Sequence, residues 1–541
     1  MTVLEGSNSI RINGEYDIEF IMHSPLIRAL QNPAIYPHPV DQIELMETHI
    51  SWVLLAGDYV YKIKKPVDLG FVDFSTLEKR RHFCQEELRL NQRHAADLYI
   101  DVVSLGGQED SPIFDAEKDV IEYAVRMHRF DSGQEFDRLL DDGRLENDHV
   151  RALARQLADL HEQAEVAKSD SDFGSFHQVA EPMRDNLDVL NRLLPESEQA
   201  RIETLRAWTE SALETCEPLI HRRLANGFVR ECHGDAHLGN VTIFNGRVRL
   251  FDCIEFSEQL RWIDVMNDLA FTVMDLHDRG ASELAWLLLD EYLSRTGDFK
   301  GLGLLRLYAV YRALVRAKVL ALQLKDRELA EHKQQQIAGE IRDYLALAER
   351  LISPDPPQLV VTLGVSGSGK SWMAKRLLQS CGMIRLRSDV ERKRLFELAA
   401  DADSGSSLAG GIYSDGATEK TYTHLLDTAR IVLEYGYPVI VDATFIEKVR
   451  RDAFRQLAGD MNVPFRLLYC LADEKVLRQR IQARNAKGED PSEAGLEVLS
   501  RQMKSFEPPG ADEVEYTLKI DTEDPNTLEQ AMNGLSASAT P

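Results

Sequence analysis

Eight consecutive residues constrain this chain more than any others: Gly364-Val365-Ser366-Gly367-Ser368-Gly369-Lys370-Ser371, which fits G-x-x-x-x-G-K-[ST]. The apolar run Leu359-Val360-Val361-Thr362-Leu363 leads into it, and a helical pattern leaves it. In that context glycines let backbone N–H groups curl around phosphate oxygens, and the new helix adds its positive end. Gly364, Ser366, Gly367, Ser368 and Gly369 form the cradle. Lys370 is placed to reach the β- and γ-phosphates of ATP, and the Ser371 hydroxyl to ligate Mg²⁺. This part of the chain is therefore expected to be a strand–loop–helix unit of a parallel sheet.

The surroundings agree. Ser353-Pro354-Asp355-Pro356-Pro357 cannot continue a helix and marks a linker over 351–357. Beyond it, strand patterns at 358–363, 384–386, 438–442, 465–470 and 516–520 alternate with helical ones, the signature of an α/β P-loop NTPase domain over 358–533. The small, polar residues 534–541 read as a flexible tail, and the Gly/Ser-rich stretch 402–416 as a mobile loop. Asp389, just after the second strand, can take a proton from an acceptor hydroxyl or can simply sit in the first turn of a helix. Asp442 ends an apolar strand, as a metal-organising acid does, although a strand-end Asp also caps helices. Arg478, Arg480 and Arg484 lie on one helical pattern, with Arg480 and Arg484 sharing a face, followed by a flexible stretch at 485–494. They suit either charge neutralisation on a lid or a solvated basic face.

With these pieces in place, residues 358–525 resemble the P-loop kinases that include polynucleotide 5′-kinase, zeta-toxin-like kinases and gluconate kinase. The matching parts are the GVSGSGKS loop, the D-x-x-R of Asp389 and Arg392, Val441-Asp442-Ala443-Thr444, and the R-x-x-x-R of Arg480 and Arg484. The resemblance implies Asp389 as general base and Arg392 on an acceptor phosphate, and leaves the acceptor open.

A second constellation lies upstream. His233-Gly234-Asp235-Ala236-His237-Leu238-Gly239-Asn240 has the Asp-to-Asn spacing of the protein-kinase catalytic loop. Two alternating strands around Asn245-Gly246 then fold the chain back, so that Asp252 can approach Asn240. In that arrangement Asp235 accepts the substrate proton, and Asn240 and Asp252 ligate Mg²⁺ on ATP. A kinase also needs a strand lysine. Lys62, in Tyr59-Val60-Tyr61-Lys62, fits, with Lys64 as the fallback on the same strand face. Its acidic partner is Glu87 or Glu86, on a helix expected over 75–96, and a strand at 119–127 is the expected hinge. Residues 146–226 and 281–350 read as mostly helical, and 1–45 as an irregular segment.

Residues 40–330 resemble the aminoglycoside phosphotransferase and choline-kinase family, whose H-G-D-x-H-x-x-N loop is matched at 233–240. The resemblance implies a protein-kinase-like bilobal α+β domain, set at 46–350, with Asp264 or Asp268 bracing the catalytic loop. No G-x-G-x-x-G precedes the lysine, and Asp252 is followed by Cys253-Ile254 instead of Phe-Gly.

Composition limits the partners. With Lys+Arg 63 against Asp+Glu 89, the net charge is −26, which disfavours nucleic acid. Six scattered cysteines, no zinc spacing, no signal-peptide pattern and no 18-residue apolar run lead to the expectation of a cytoplasmic protein without a membrane partner. The leading expectation is an ATP- and Mg²⁺-dependent bifunctional phosphotransferase acting on small hydroxylated molecules. The alternatives are a nucleotide-sensing regulatory protein and a nucleic-acid end kinase. Neither the acceptors nor the oligomeric state can be read from the sequence.

Overall fold

The computed structural model describes residues 24–70, 72–168, 171–325, 329–399, 402, 411–487 and 495–536. By its contacts the chain divides into two compact units. One comprises residues through Arg279 together with Leu304–Ile352; the other comprises Gly280–Gly303 together with the chain from Ser353.

The first unit opens with an antiparallel sheet of β1 (Ile43–Glu47), β2 (Ser51–Ala56), β3 (Tyr59–Lys64), β4 (Tyr99–Gln108), β5 (Ser111–Phe114) and β6 (Val120–His128), in the order β1-β2-β3-β6-β4-β5. β2 and β3 turn at Gly57, whose φ is +60° and whose added Cβ would lie 2.6 Å from the Pro39 carbonyl, so only glycine fits. The helix Leu77–Ala95 starts where the Thr76 hydroxyl accepts from the Lys79 N–H (3.2 Å) and packs across β4 and β6. Below the sheet, helices Asn147–Gln163, Phe176–Leu193, Glu196–Ala225, Val265–Asp278, Leu302–Gln323 and Glu331–Ile352 surround two short strand pairs. β7 (Val229–Glu231) pairs with β10 (Trp262–Asp264), and β8 (Val241–Phe244) pairs with β9 (Arg247–Leu250). The β8–β9 turn has Asn245 and Gly246 both at positive φ, as a two-residue hairpin requires.

The second unit is a five-stranded parallel sheet in the order β12-β13-β11-β14-β15, from β11 (Leu359–Leu363), β12 (Ile384–Arg387), β13 (Val439–Asp442), β14 (Phe465–Leu471) and β15 (Thr517–Asp521). All five residues of β11 are buried, as a central strand covered on both faces should be.

Several expectations change. The stretch assigned as irregular contains the helix Pro25–Ala29 and the start of β1, and its Leu26, Ile27, Leu30 and Tyr36 pack into the sheet core. β4 and β5 were not anticipated, because Ser104, Gly106 and Gly107 break the alternation that would announce them. Residues 534–536 of the expected flexible tail are helical instead, within the helix Thr527–Ser536, with Leu535 buried in the core beside Ala531 and Ile520; residues 537–541 lie outside the described residues. Residues 403–410 of the expected mobile loop, and 488–494 of the expected lid, lie outside the described residues.

The largest difference concerns residues 280–303. The helix Ser282–Thr296 packs in the second unit on the helix Lys370–Cys381. Its Asp290 holds Arg385 of β12 in a buried two-point ion pair (3.1 and 2.7 Å), and Trp286 lies against the core and over Gly382. Arg394 donates to the carbonyls of Leu293, Ser294 and Arg295 at the end of that helix. The helix supplies apolar cover that residues 358–533 alone lack.

Candidate active sites

In the first unit, strand alternation puts Lys62 and Lys64 on the same face of β3, towards the helix Leu77–Ala95. Lys62 Nζ donates to Glu87 Oε1 (2.9 Å) and to Asp252. Lys64 Nζ donates to Glu87 Oε2 (2.7 Å) and to Glu255. Of the two acids considered, Glu87 is the partner; Glu86 turns outward to Arg89 (3.1 and 2.8 Å). Burial works against the charge of Lys62, but Asp252, Glu87 and Glu255 outweigh it and hold this lysine well above its ordinary value.

The loop His233–Asn240 is shaped by hydrogen bonds to its backbone. Asp268 accepts from the N–H groups of His233 (3.0 Å) and Gly234 (2.8 Å) and from His161 Nε2 (3.1 Å). Asp275 accepts from the Leu238 N–H (2.8 Å), and Arg312 donates to the Gly234 carbonyl (3.0 Å). Of the two bracing candidates, Asp268 therefore holds the loop, whereas Asp264 pairs with Arg223 (2.6 and 2.8 Å). His161, Cys232 and Asp268 approach as three potential metal ligands, but Asp268 is committed to those three donors.

Asn240 Nδ2 donates to Asp235 at both its carbonyl (2.9 Å) and Oδ2 (3.0 Å), and the Asn240 carbonyl accepts from the Phe251 N–H (3.0 Å). These contacts bring Asp235, Asn240 and Asp252 together. Asp252 sits at φ +62°, a left-handed backbone that a non-glycine residue holds at a cost of about 1–3 kcal/mol and that concentrates at functional sites. His237 Nδ1 accepts from the Gly239 N–H (3.1 Å), which turns its Nε2 towards Asp235 Oδ2 at 3.5 Å. Burial would raise the Asp235 carboxyl, but His237, Arg316 and His233 together outweigh it and hold that group below the usual carboxylate range. The donor set of an amide oxygen and a carboxylate suits a hard cation such as Mg²⁺.

In the second unit, Gly364 lies at φ +147°, and a Cβ there would sit 2.5 Å from Ser368 Oγ and 2.7 Å from the Cys470 carbonyl. Gly369, at φ +89°, opens the helix Lys370–Cys381. Ser371 Oγ donates to Asp442 Oδ1 (3.1 Å), which places the two expected Mg²⁺ ligands in one spot, again as oxygen donors. Burial raises the Asp442 carboxyl despite Arg385, Arg387 and Lys370, and burial lowers the Lys370 ammonium. Lys370 Nζ donates to the Val365 carbonyl (2.8 Å), and Gln502 Oε1 accepts from the Ser366 N–H (2.7 Å).

The remaining expected residues are spread more widely. Asp389 stands in the first turn of the helix Ser388–Leu395. Arg392 is buried; its Nη1 donates to the Ile412 carbonyl (2.8 Å) and Thr418 Oγ1 (3.2 Å), and its guanidinium lies over the Tyr413 ring. Arg480 braces the P-loop from behind, donating to the Gly367 carbonyl (3.3 Å) and to Thr522 Oγ1 (2.8 Å) and O (3.1 Å). Arg484, one turn on, is near enough for its charge to act on Lys370. Arg478 pairs with exposed Glu474. Sequence reasoning missed Gln502 and the second role of Lys64; only the same-face spacing of Lys62 and Lys64 hinted at the latter.

Residues 111–305 match the phosphotransferase enzyme family, and residues 359–509 match an AAA domain. The chain is 29% identical over 473 residues to the uncharacterized protein Rv2004c of Mycobacterium tuberculosis, covering 86% of this chain and 92% of that protein, with the same figures for Mb2027c of Mycobacterium bovis. Among solved structures, it is similar to a gluconokinase from Sinorhizobium meliloti at 22% identity (34% of this chain, 95% of that one, TM-score 0.26). It is also similar to an amicoumacin kinase complexed with AMP-PNP at 13% identity (61% and 94%, TM-score 0.38). No helix among the described residues is long and apolar enough to cross a membrane. The chain thus joins an α+β unit that carries a match to the phosphotransferase enzyme family to a unit built on a parallel sheet that carries the P-loop and a match to an AAA domain.

Proposed function

We propose that this chain is an ATP-dependent bifunctional phosphotransferase. Its first unit transfers a phosphoryl group to a hydroxyl of a small molecule, and its second is a P-loop kinase or ATPase. The observation that carries the reading is that Lys62 on β3 and Glu87 on the helix Leu77–Ala95 meet Asp252, while Asp235 and Asn240 of one loop bond each other and tie to the Asp252 segment through the Phe251 N–H.

In the first site Lys62, steadied by Glu87, binds the α- and β-phosphates. Asp235 accepts the acceptor's proton as its oxygen bonds to the γ-phosphorus, and the bond from that phosphorus to the β-phosphate oxygen breaks, leaving ADP. Held ionised by His237, Arg316 and His233 together, Asp235 orients the hydroxyl and takes the proton late, as a loose transition state allows. In the second site the Gly364–Ser371 amides and Lys370 hold the phosphates, and Asp389 is the acceptor-side base. Mg²⁺, held by Asn240 and Asp252 in one site and by Ser371 and Asp442 in the other, would supply neutralisation of phosphate charge.

The test is a metabolite-pool screen with γ-labelled ATP, run on the wild type, Asp235→Ala and Lys370→Ala. Each variant should lose a different labelled product. Undiminished ATP turnover in the double variant would refute the reading.

One observation favours a second reading for the P-loop unit, a nucleotide-sensing module. Two of its phosphate-binding groups, the Ser366 N–H and Lys370, are engaged by Gln502 and by the loop's own carbonyl. ATP binding without turnover by a chain carrying Asp235→Ala would support it.

A further inference from the structure

Lys64 was a candidate for the phosphate lysine, but the structure gives it other work. Its side chain is fully buried, both its ionic partners are carboxylates, and its ammonium lies 4.9 Å from the centre of the Phe74 ring. Its ammonium is shut away from solvent by these partners. The charges form an alternating ladder: Asp252, Lys62, Glu87, Lys64, Glu255. The ends of the ladder are three residues apart in one segment, whereas its middle, Glu87, belongs to the helix Leu77–Ala95.

A second tie runs between the same two elements. The Cys253 N–H donates to Asn91 Oδ1 (3.1 Å), and Asn91 Nδ2 donates to the Glu87 carbonyl (2.8 Å) one turn earlier. The segment 252–255 is therefore fastened to the helix at Cys253 through Asn91 and at Glu255 through Lys64. Protein kinases carry Phe-Gly after the metal-binding Asp. Here Cys253-Ile254-Glu255 follows, and the connection is ionic.

We propose that Lys64 and Glu255 are positioning residues that lock the segment carrying Asp252 to the glutamate-bearing helix, so that the metal-binding carboxylate and the Lys62–Glu87 pair take up their places together. This rests on the reading of Asp252 as a Mg²⁺ ligand. When Lys62 turns from Asp252 to a phosphate, Glu87 keeps a cation and Asp252 keeps its location, because neither depends on Lys62 alone. Partners behind a metal ligand commonly contribute roughly 10–100-fold to metal affinity or activity.

The test uses the full chain with Lys370→Ala, which silences the second site, and titrates a non-hydrolysable ATP analogue with and without Mg²⁺. The readout is the gain in nucleotide affinity that Mg²⁺ confers. Lys64→Met is expected to cut that gain by about tenfold or more, and Lys64→Arg to keep it within about threefold. In an Asp252→Asn background, Lys64→Met should have no further effect. If Lys64→Met does not fold, Lys64→Met/Glu255→Gln removes the acid left unpaired, and the same loss is expected. A loss equal with and without Mg²⁺, or one that persists in Asp252→Asn, overturns the proposal. An Asp252→Asn chain that keeps the full Mg²⁺ gain sinks the underlying reading of the metal ligand instead.

Discussion

Under the proposed reading the two candidate sites would hold the same kind of ligand with different materials. The first is made of side chains: a strand lysine, a helix glutamate, an asparagine from a loop and an aspartate after a hairpin, joined by charge. The second is made mostly of one loop's backbone, with glycines at φ values that side chains resist. A side-chain site is sensitive to each charge and to the elements that carry it, whereas a backbone site is sensitive to sterics in the loop and to the sheet beneath it.

The largest effect should come from the first site. Asp235→Ala removes the proposed proton acceptor and is expected to lower first-site turnover by roughly 10²–10⁴-fold while leaving P-loop nucleotide binding unchanged. Product-specific transfer from labelled ATP reads it. If both activities fall together, the sites are not the separate machines contrasted here.

Next is the glycine at the head of the loop. Gly364→Ala places a methyl group 2.7 Å from the Cys470 carbonyl, a backbone atom of β14 that cannot easily retreat, at a φ that alanine resists. P-loop nucleotide binding should become undetectable by calorimetry, with first-site binding retained. Near-normal affinity would contradict a cradle built on backbone geometry.

A third variant tests which unit owns the helix Ser282–Thr296. Arg385→Met strands buried Asp290 without its cation and should destabilise the second unit by about 3–5 kcal/mol, read as an earlier melting transition reported by P-loop ligand protection. An unshifted transition would detach that helix from the unit.

The smallest predicted effect is on pH. If Asp235 is the base, it must be ionised to accept a proton, and its depressed pKa means the ionised form survives as pH falls through about 4, where an ordinary aspartate half-protonates. First-site kcat should therefore show no acid limb from this group above that pH, and His237→Ala should move the limb upward. A limb that stays put in His237→Ala removes His237 from the account.

How much of this was legible in the sequence follows from where each signal lies. The P-loop and the His233–Asn240 loop are contiguous, so the residue types at fixed spacing that their chemistry needs stand together in the chain. The β2–β3 and β8–β9 hairpins were readable because their turns carry Gly57 and Asn245-Gly246. The unit that the helix Ser282–Thr296 joins was not readable, since an apolar helix face looks the same whichever partner covers it, and its assignment depends on Arg385 nearly a hundred residues later. Nor was the place of Arg480. Its spacing from Arg484 is real, but the Gly367 carbonyl and Thr522 that claim it come together only in the folded sheet. Lys64 shows the same limit, because its partner Glu255 is 191 residues away.

The central claim is that each unit cradles its own nucleotide. Equilibrium titration of the full chain with a non-hydrolysable ATP analogue and Mg²⁺ should give two bound per chain, falling to one in Lys62→Ala and to one in Lys370→Ala. A stoichiometry of one in the wild type, abolished by either substitution, would contradict it.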